Sequence, residues 1–533
     1  MHWINFPLLF LMIYSGLLIY WADSHHEGLY AHEYYRVGLG HITLFRLFPS
    51  WFYERLGLTF QLAKGLGYHF FFMWFFAVNG IAYVLYALIS GEWRFLVPNR
   101  QSFKEAVQVT LHDLGLRKDA PPRRKFNGAQ QIAYTAVILM GAGSLLTGLA
   151  IYKPTQLHEL TTLFGGYEMA RWFHFWLTMG FVAFFVIHVI QVIRAGWNNF
   201  RSMIIGYEVV PVDSITQTRT ANSLVDIQRR SRRGFLVTGI AALAGFGLWR
   251  WFMNQPQIDG LLAPVRESLE FNARISRTLF RPDALAPEFS PSRAVANFRR
   301  NGDIGLSMID PAQWRLELIG AANPEKYRQY TADVMSWTYG QRGADSTTLV
   351  KQSQKPATHE QDAKGAAVTM KPMEMPEKAA GVPGLLLTME QIRALPKTTM
   401  VTEFKCIEGW SEIVHWSGAR LRDFLIAYPP MTRSGAPFDP RRPDDMPEYV
   451  GLETPDGEYY VGIEREVALH PQALLAYEIN GAPLSMAHGA PLRLVTPLKY
   501  GIKQLKQIGR ITYTDARPAD YWAEQGYDYY SGH

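Results

Sequence analysis

Four long runs without a charged side chain dominate the first half of this 533-residue chain. They have 19, 25, 24 and 22 residues and span Trp3–Trp21, Leu66–Ser90, Ala129–Tyr152 and Trp172–Ile193. About 20 apolar residues cross a bilayer as an α-helix, and a charge at the centre of such a span costs several kcal/mol. The sequence therefore predicts an all-α bundle of four transmembrane helices, which excludes a chain that is soluble throughout.

The basic residues predict how these helices are oriented. The loop over 91–128 holds eight Lys and Arg side chains, whereas the loop over 153–170 holds only Lys153. Short cytoplasmic loops carry an excess of Lys and Arg. The N-terminus and the 91–128 loop are therefore expected on the cytoplasmic side, and the 22–65 and 153–170 loops on the other side.

A fifth apolar segment follows the adjacent arginines Arg232 and Arg233. This segment, Gly234–Trp249, has 16 residues, which is short for a span and typical of the hydrophobic region of a signal. The arginine pair and the Phe-Leu that follows it match a twin-arginine signal, and a plain fifth anchor helix is the alternative. Both interpretations place residues 254–533 in the periplasm of a multi-pass inner-membrane protein.

Histidines are the ionisable residues of these runs, and such residues inside a span are functional candidates. His69, His174 and His188 lie within the runs, and His2 begins the first. His174 and His188 are 14 residues apart, which places them on one helix face about 21 Å apart along its axis. This spacing suits two b-type haems, each held by two imidazoles. Depth pairs His2 with His188 on an inner haem and His69 with His174 on an outer haem; an interfacial histidine bonded to backbone is the alternative.

Three stretches around these histidines resemble the bacterial cytochrome b561 family, found as the b subunit of respiratory hydrogenases and thiosulfate reductases. They are His2-Trp-Ile-Asn-Phe, His69-Phe-Phe-Phe-Met-Trp with Asn79-Gly80, and Arg171-Trp-Phe-His174 through His188-Val-Ile. The resemblance covers about residues 1–200. It implies a dihaem electron carrier linked to quinone.

The second half of the chain has the pattern of an α+β fold. Residues 254–300 contain five prolines and predict an irregular approach segment. Residues 340–384 are rich in Gln, Lys, Ala, Pro and Met and predict a surface insertion or mobile loop. From Thr399 onwards short strands alternate with turns, with helical patterns at Leu421–Ala427 and Gln472–Ala476.

The only cysteine of the chain, Cys406, follows a predicted strand in the stretch Phe404-Lys-Cys-Ile-Glu-Gly-Trp410. One cysteine excludes an intrachain disulfide and any site built from cysteines alone. Taken by itself, Cys406 is either an inert buried thiol or a soft ligand for a metal.

Residues 399–530 resemble the molybdopterin-binding domain of the sulfite oxidase superfamily. Four stretches carry the match: the one that begins at Cys406, Trp416-Ser-Gly-Ala-Arg, Leu475-Ala-Tyr-Glu-Ile-Asn-Gly, and His488-Gly-Ala-Pro-Leu-Arg493. The last of these continues into Lys499-Tyr-Gly-Ile-Lys503-Gln-Leu-Lys506. Earlier in the chain, Arg300-Asn301-Gly302 resembles a cofactor-binding turn of the family. The resemblance implies that Cys406 is the thiolate ligand of molybdenum.

The same resemblance assigns further site residues. A pterin that ends in a phosphate needs cations and backbone donors, and this role falls to Asn301, His488, Arg493, Lys503 and Lys506. Arg300 and Tyr459 match substrate-side residues, with Tyr460 as the alternative tyrosine. Sulfite oxidases carry an anion-holding arginine where this chain has Ser411. That departure resembles the bacterial periplasmic branch, whose best-known activity is the reduction of methionine sulfoxide.

The combined expectation is a membrane-bound molybdenum oxidoreductase that couples oxygen-atom transfer on a small substrate to the quinone pool, mainly as a reductase. The expected cofactors are molybdenum–molybdopterin and two haems b. The expected partners are quinone, a small-molecule substrate and lipid but no nucleic acid, with a homo-oligomer or soluble redox partner left open. The alternatives are a sulfite-like substrate oxidase and a non-catalytic transmembrane electron shuttle. The expected division is 1–200 (cytochrome), 201–253 (linker and fifth helix), 254–300 (approach segment) and 301–533 (molybdopterin domain).

Overall fold

A computed structural model of the chain describes residues 2–24, 36–39, 42–118, 126–205, 239–240, 243–300, 302–337 and 381–533. Three predicted features lie outside these residues: the arginine pair at 232–233, the cofactor-binding Asn301 and most of the 340–384 segment. His2 lies in the first helix, but its side chain is also outside the described part.

The N-terminal half is built on the four predicted spans. They are α1 (His2–Ser24), α3 (Leu62–Ile89), α6 (Gly128–Tyr152) and α8 (Tyr167–Ile205). Among the described residues, these four are long and apolar enough to cross a membrane. The prediction of four membrane helices is thereby confirmed. Shorter elements connect them: β1 (Arg36–Leu39), β2 (Ile42–Arg46), α2 (Ser50–Leu56), α4 (Trp93–Leu96), α5 (Arg100–Asp113) and α7 (His158–Leu163).

Small residues and side-chain caps shape the bundle. A Cβ at Gly65 of α3 would lie 2.8 Å from the Cβ of Leu18 on α1, so the glycine allows these two helices to approach closely. The Asn127 side chain accepts from the Gln130 N–H and caps the N-terminus of α6. The helix α8 has a kink at Gly196, where the backbone is not helical and φ is 84°.

A hairpin and a helix form the first part of the segment for which the prolines predict an irregular structure. Residues 243–253 are helical (α9), and the hairpin β3 (Gln257–Ile258) and β4 (Leu261–Leu262) leads into α10 (Ala263–Thr278). The irregular prediction is wrong for α10, because Pro264 lies in its first turn, where a helix tolerates proline. Residues 279–300 have an irregular course, as predicted. Buried apolar residues of β4 and α10 then pack on aromatic side chains of α3: Leu261, Leu262, Val265 and Leu269 against Tyr68, Phe70 and Phe71.

Two sheets form the second half and confirm the α+β prediction. The first has the order β11-β10-β15-β5-β7-β6, with only β15 and β5 parallel. The second has the order β13-β12-β9-β8, with β14 also paired to β12. The strands are β5 (Leu316–Ile319), β6 (Tyr330–Thr331), β7 (Gly384–Leu387), β8 (Lys397–Lys405), β9 (Ser411–Arg420), β10 (Tyr449–Glu453), β11 (Tyr460–Glu464), β12 (Leu474–Ile479), β13 (Ala482–Pro483), β14 (Arg493–Val495) and β15 (Arg510–Thr514).

Short helices complete this half at Met389–Arg393, Leu421–Ala427, Arg465–Ala468 and Tyr521–Glu524. The helix predicted at Leu421–Ala427 is confirmed. The helix predicted at Gln472–Ala476 is wrong, because β12 begins at Leu474. This strand pairs with both β9 and β14, and these tertiary pairings override its local helical pattern.

Candidate functional site

Two histidines face each other at the end of the bundle that meets the second half of the chain. His69 lies on α3 and His174 on α8, with ring centres 6.2 Å apart and ring planes at 70°. An imidazole nitrogen binds a transition metal at about 2.0–2.1 Å, so two imidazoles on opposite sides of one metal have ring centres about 6 Å apart. The His69–His174 separation therefore fits two axial ligands of one haem iron.

Hydroxyl groups fix which nitrogen of each ring is available. Ser15 Oγ lies 3.0 Å from His69 Nδ1 and donates its proton to the Leu11 carbonyl at 2.8 Å. Thr147 Oγ1 lies 3.0 Å from His174 Nδ1 and donates to the Gly143 carbonyl at 2.7 Å. Because each hydroxyl proton is committed to a carbonyl, each Nδ1–H donates to the hydroxyl oxygen. Both Nε2 atoms are then unprotonated, which is the form that binds iron.

A cavity of about 260 Å³ is lined by both histidines and mainly by apolar side chains, among them Leu9, Met12, Ile13, Met73, Phe76 and Leu145. A glycine in the wall lets the backbone approach the His174 ring closely: a Cβ at Gly148 would lie 3.4 Å from His174 Cε1. Paired imidazoles with available Nε2 atoms beside an apolar cavity match the requirements of a b-type haem. The residues of this outer site fit the group that the sequence predicts.

Replacement of Thr147 by valine tests the hydroxyl contact, because valine keeps the shape but removes the acceptor for His174 Nδ1–H. Such outer partners of a metal ligand change affinity or activity by about 10–100-fold, so we expect weaker haem retention and a shifted reduction potential. Both are measured by optical redox titration of purified protein. Thr135→Val on the same helix is the matched control, since the Thr135 hydroxyl bonds the Leu96 carbonyl. Equal titrations for the two variants would contradict the assignment.

The inner pair is described only in part. His188 lies on α8, and its ring stacks on Phe184 with 5.7 Å between ring centres. The side chain of His2 lies outside the described residues. An inner haem on His2 and His188 therefore stays a prediction.

The Cys406 loop joins β8 to β9 and forms the centre of the second site. Cys406 is 1% exposed. Its N–H donates to the Trp410 carbonyl at 2.9 Å, and the Gly409 N–H donates to the Cys406 carbonyl at 3.0 Å. Gly409 has φ 107°, a conformation that favours glycine. This tight turn holds the thiol at a fixed place at the end of the hairpin.

Charges near the Cys406 thiol define its chemistry. Burial raises the pKa of Cys406, and the Glu408 carboxylate 3.7 Å from Sγ acts in the same direction. Glu408 also accepts from Trp410 Nε1 at 3.0 Å. Without a cation the thiol is neutral, whereas a bound metal ion converts such a group to a thiolate. The Cys406 thiol is thus suited to bind a metal and not to act as a free nucleophile.

Cationic side chains from distant parts of the chain surround this loop. Lys506 Nζ donates to the Gly302 and Ala487 carbonyls at 2.8 and 2.9 Å. Burial lowers the pKa of Lys506 to about 7, with Arg493 adding to the effect. Burial also lowers the pKa of His488, whose Nε2 donates to the Phe298 carbonyl at 2.9 Å. A bound anion would offset this mutual repulsion and favour the charged forms.

Arg493 supplies the observation that tests the cofactor. Its side chain is 1% exposed, packs over the Trp416 ring at 4.7 Å and donates to the His488 carbonyl at 3.0 Å. Its Nε is buried and has no hydrogen-bond partner among the described residues. A buried cationic donor without an acceptor is costly. The predicted residues His488, Arg493 and Lys506 therefore fit an anionic cofactor such as a pterin phosphate.

The substrate-side predictions have different surroundings. Tyr459 packs on the core, and its hydroxyl donates to the Ile502 carbonyl at 2.5 Å. The Tyr460 hydroxyl instead donates to Glu524 at 2.6 Å near the surface. The Arg300 side chain is 60% exposed and pairs with Asp303 at 2.8 Å. Burial raises the pKa of Tyr459, with a smaller contribution from Cys406 in the same direction. The catalytic role of Tyr459 stays a prediction.

Lys503 departs from the predicted cofactor group. Its side chain is fully buried, and its Nζ donates to Asp520 Oδ2 at 2.5 Å and to the Gly462 carbonyl at 2.9 Å. It also lies 4.0 Å over the Tyr529 ring. The Asp520 carboxylate already neutralises this ammonium. The structure therefore supports a structural ion pair for Lys503, and the sequence motif alone could not reveal the partner 17 residues away.

Replacement of Lys503 and of Lys506 by methionine separates the two roles. Removing one partner of a buried pair costs about 3–5 kcal/mol, so Lys503→Met is expected to lower the midpoint of thermal unfolding strongly. Lys506→Met is expected to lower the molybdenum content with a much smaller change in that midpoint. Lys326→Met, at an exposed position, is the control. The reverse ranking of the two variants would return Lys503 to the cofactor site.

The contact between the two halves was not predicted. Ile407, Glu408 and Gly409 of the Cys406 loop line the same cavity as His69 and His174. Further contacts hold the halves together: Lys153 Nζ donates to the Gly532 carbonyl at 2.7 Å, and Trp74 Nε1 donates to Asn272 Oδ1 at 2.8 Å. No local motif signals these pairs, since their members lie 379 and 198 residues apart.

Comparison with known families agrees with this architecture. The model of the prokaryotic cytochrome b561 matches residues 1–206, and the model of the oxidoreductase molybdopterin-binding domain matches residues 382–522. Fold and matches together define a membrane-bound molybdopterin oxidoreductase with a cytochrome b561 domain.

Two curated relatives match parts of this chain and are both named as protein-methionine-sulfoxide reductase subunits. The chain is 36% identical over 314 residues to the candidate protein-methionine-sulfoxide reductase subunit YedZ1 of Azospira oryzae, which covers 57% of this chain and 89% of that protein. This chain belongs to the same family as YedZ1 of Azospira oryzae. It is also 33% identical over 172 residues to the protein-methionine-sulfoxide reductase catalytic subunit MsrP of Xanthomonas campestris pv. campestris. That match covers 31% of this chain, and the chain spans about half of MsrP (52%).

Among solved structures, the sulfane dehydrogenase SoxCD of Paracoccus pantotrophus matches 25% of this chain and 36% of its own, with 20% identity and a TM-score of 0.20.

Proposed function

We propose that this chain reduces a small sulfoxide-type substrate at a molybdenum centre on Cys406, with electrons that reach it from membrane quinol through haem. In this reaction the substrate takes up two electrons and two protons, and the products are a thioether and water. The outer haem is assigned to His69 and His174, and a second, inner haem to His2 and His188. This proposal gives one chain the combined roles that the names of YedZ1 and MsrP describe in separate proteins.

One observation carries the proposal. The cavity that presents both His69 and His174 is also lined by Ile407, Glu408 and Gly409, the three residues that follow Cys406. The loop that carries the proposed metal ligand would then contribute to the wall of the proposed haem pocket. A non-catalytic electron shuttle has no need for a loop of this kind at its haem pocket.

The side chains around Cys406 have separable tasks. The molybdenum–pterin group, when bound, supplies a two-electron centre for oxygen-atom transfer. Arg493, His488 and Lys506 bind and orient its anionic end, and Arg493 Nε gains the acceptor that it lacks among the described residues. Trp416 and Phe298 form an aromatic wall under Arg493 and His488 and exclude water from them. Arg300 lies exposed beside this group and meets incoming substrate.

Ser411 supports reduction over oxidation of a sulfite-like anion. Its Oγ lies 2.7 Å from a carboxylate oxygen of Glu168 and 2.7 Å from one of Glu403. Where sulfite oxidases have an anion-holding arginine, this chain therefore has a hydroxyl bonded to two carboxylates, which pair with Arg171 at 3.4 Å and with Lys405 at 3.1 Å. Ser411 itself supplies no cation for an anionic substrate, whereas a neutral oxide needs none.

The basic loop over 91–128 assigns the Cys406 side of the membrane to the periplasm. The proposed division is 1–200 for the cytochrome, 201–253 for the linker and fifth helix, 254–300 for the connection and 301–533 for the catalytic domain. Twin-arginine export of the catalytic domain remains part of this proposal.

The test follows haem oxidation optically in anaerobic, dithionite-reduced holoenzyme against sulfoxides, N-oxides, sulfite and chlorate-type oxyanions. We expect rapid haem oxidation with a sulfoxide and none with sulfite. Reduction of oxidised haem by sulfite would instead establish the oxidase. Purified protein with haem but no molybdenum would refute the catalytic proposal.

A further inference from the structure

The first turns of α8 connect the outer haem site to the Cys406 loop. Arg171 lies one helical turn before His174, about 4.5 Å along the helix axis. Its guanidinium lines the cavity shared with His174 and Gly409. One helix therefore carries both a proposed haem ligand and a side chain that meets the loop of the proposed molybdenum ligand.

Gly409 makes room for Arg171. A Cβ at Gly409 would lie 2.8 Å from Arg171 Nη2 and 3.3 Å from Cζ. A contact this short requires a shift, and the guanidinium at the end of the flexible Arg171 side chain is the group that would move. The positive φ of Gly409 would add strain to the same substitution.

Glu168 completes the junction from the same helix face. Its Oε2 lies 3.4 Å from Arg171 Nη1, and its Oε1 lies 2.7 Å from Ser411 Oγ at the start of β9. The Cys406 loop is thus contacted from α8 at both its Gly409 and its Ser411 positions. Ile407 adds an apolar contact, because it packs against the buried cluster of the bundle that includes Leu18, Tyr20 and Trp21.

We propose that Arg171 is a positioning residue that holds the Cys406 loop against the outer haem pocket and thereby sets the rate of electron transfer between haem and molybdenum. This inference deepens the proposed function and rests on it. With both groups bound, one electron would pass from the haem held by His69 and His174 to the molybdenum held by Cys406. A second electron, supplied by quinol through the same haem, would complete the two-electron reduction of the molybdenum.

The experiment uses full-length holoenzyme with Arg171→Gln, Arg171→Lys and Gly409→Ala. The control is Arg281→Gln, which removes an exposed ion pair with Glu159 elsewhere between the halves. Flash photolysis with 5-deazaflavin reduces the haem, and its reoxidation is followed optically while Mo(V) appears by electron paramagnetic resonance. This readout requires no substrate and is independent of the reaction direction.

We expect Arg171→Gln and Gly409→Ala to slow haem-to-molybdenum transfer several-fold, since a displaced Cys406 loop lengthens the path between the two centres. Arg171→Lys should restore part of the rate, and Arg281→Gln should match wild type. Sulfoxide reduction driven directly by reduced viologen should be unchanged in the two Arg171 variants and in Arg281→Gln, with full haem and molybdenum contents.

Three results would overturn the inference: wild-type transfer in Arg171→Gln, loss of haem from that variant, or an equal loss of viologen-driven activity. The second would make Arg171 a haem-binding residue, and the third would place its effect at the molybdenum site. If wild-type enzyme transfers electrons between its centres but reduces no oxide, the proposed function fails while the positioning role stands.

Discussion

Replacement of Cys406 by serine is expected to abolish substrate reduction while leaving the haem spectrum intact. Serine has nearly the same volume, so the buried turn that carries Cys406 can form. Its hydroxyl is a hard and weakly acidic donor, whereas the thiolate is the soft ligand that a molybdenum centre requires. We expect turnover to fall by about 100-fold or more, which exceeds the effects of outer-shell changes.

The Cys406→Ser measurement combines three readouts on one preparation: molybdenum content, haem absorbance and viologen-driven sulfoxide reduction. Ser336→Ala is a suitable control, since the Ser336 hydroxyl donates to the Asp333 carbonyl three residues away. Retained turnover in Cys406→Ser would remove the cysteine from the catalytic site.

Replacement of His174 by alanine is expected to have the second largest effect. One of the two histidines that would hold the outer haem is then missing, so this haem is lost and, on the proposed two-haem assignment, the haem content falls by about half. Quinol-driven turnover should disappear, whereas viologen-driven turnover should persist. The separation of the two activities follows because the molybdenum site keeps all of its own side chains.

Pyridine haemochrome analysis gives the haem content of His174→Ala and of the corresponding His69→Ala variant. His158→Ala is the control, since His158 lies on α7 and contacts Thr162 outside the cavity. An unchanged haem content in either cavity variant would refute the bis-histidine assignment.

Much of this architecture is readable from the sequence because its signals are local. Uninterrupted apolar length defines α1, α3, α6 and α8, and the same runs expose His69 and His174 as their exceptions. Motif resemblance located Cys406 and the cationic residues His488, Arg493 and Lys506. The structure places these cationic residues near one another.

Other features depend on tertiary partners and were missed or misplaced. Lys503 matches the cofactor motif, but Asp520 holds it in a buried pair. Residues from Leu474 form a strand because β9 and β14 flank them. The sequence shows Arg171 as part of a motif but gives no sign of its contact with Gly409, because the two residues belong to separate halves of the chain. Pairings of this kind leave no periodicity in the sequence.

The hydrogen bonds Lys153–Gly532 and Trp74–Asn272 join the two halves of one covalent chain. The proposed electron donor and electron acceptor therefore belong to the same molecule. In the proposed function, electron delivery to Cys406 is then a unimolecular event, with an effective concentration of a tethered partner in about the millimolar range. Dilution of the enzyme in detergent should leave the turnover per molecule unchanged, and added salt should not compete with the docking of a separate subunit. The junction thus converts a diffusional encounter into a fixed internal connection.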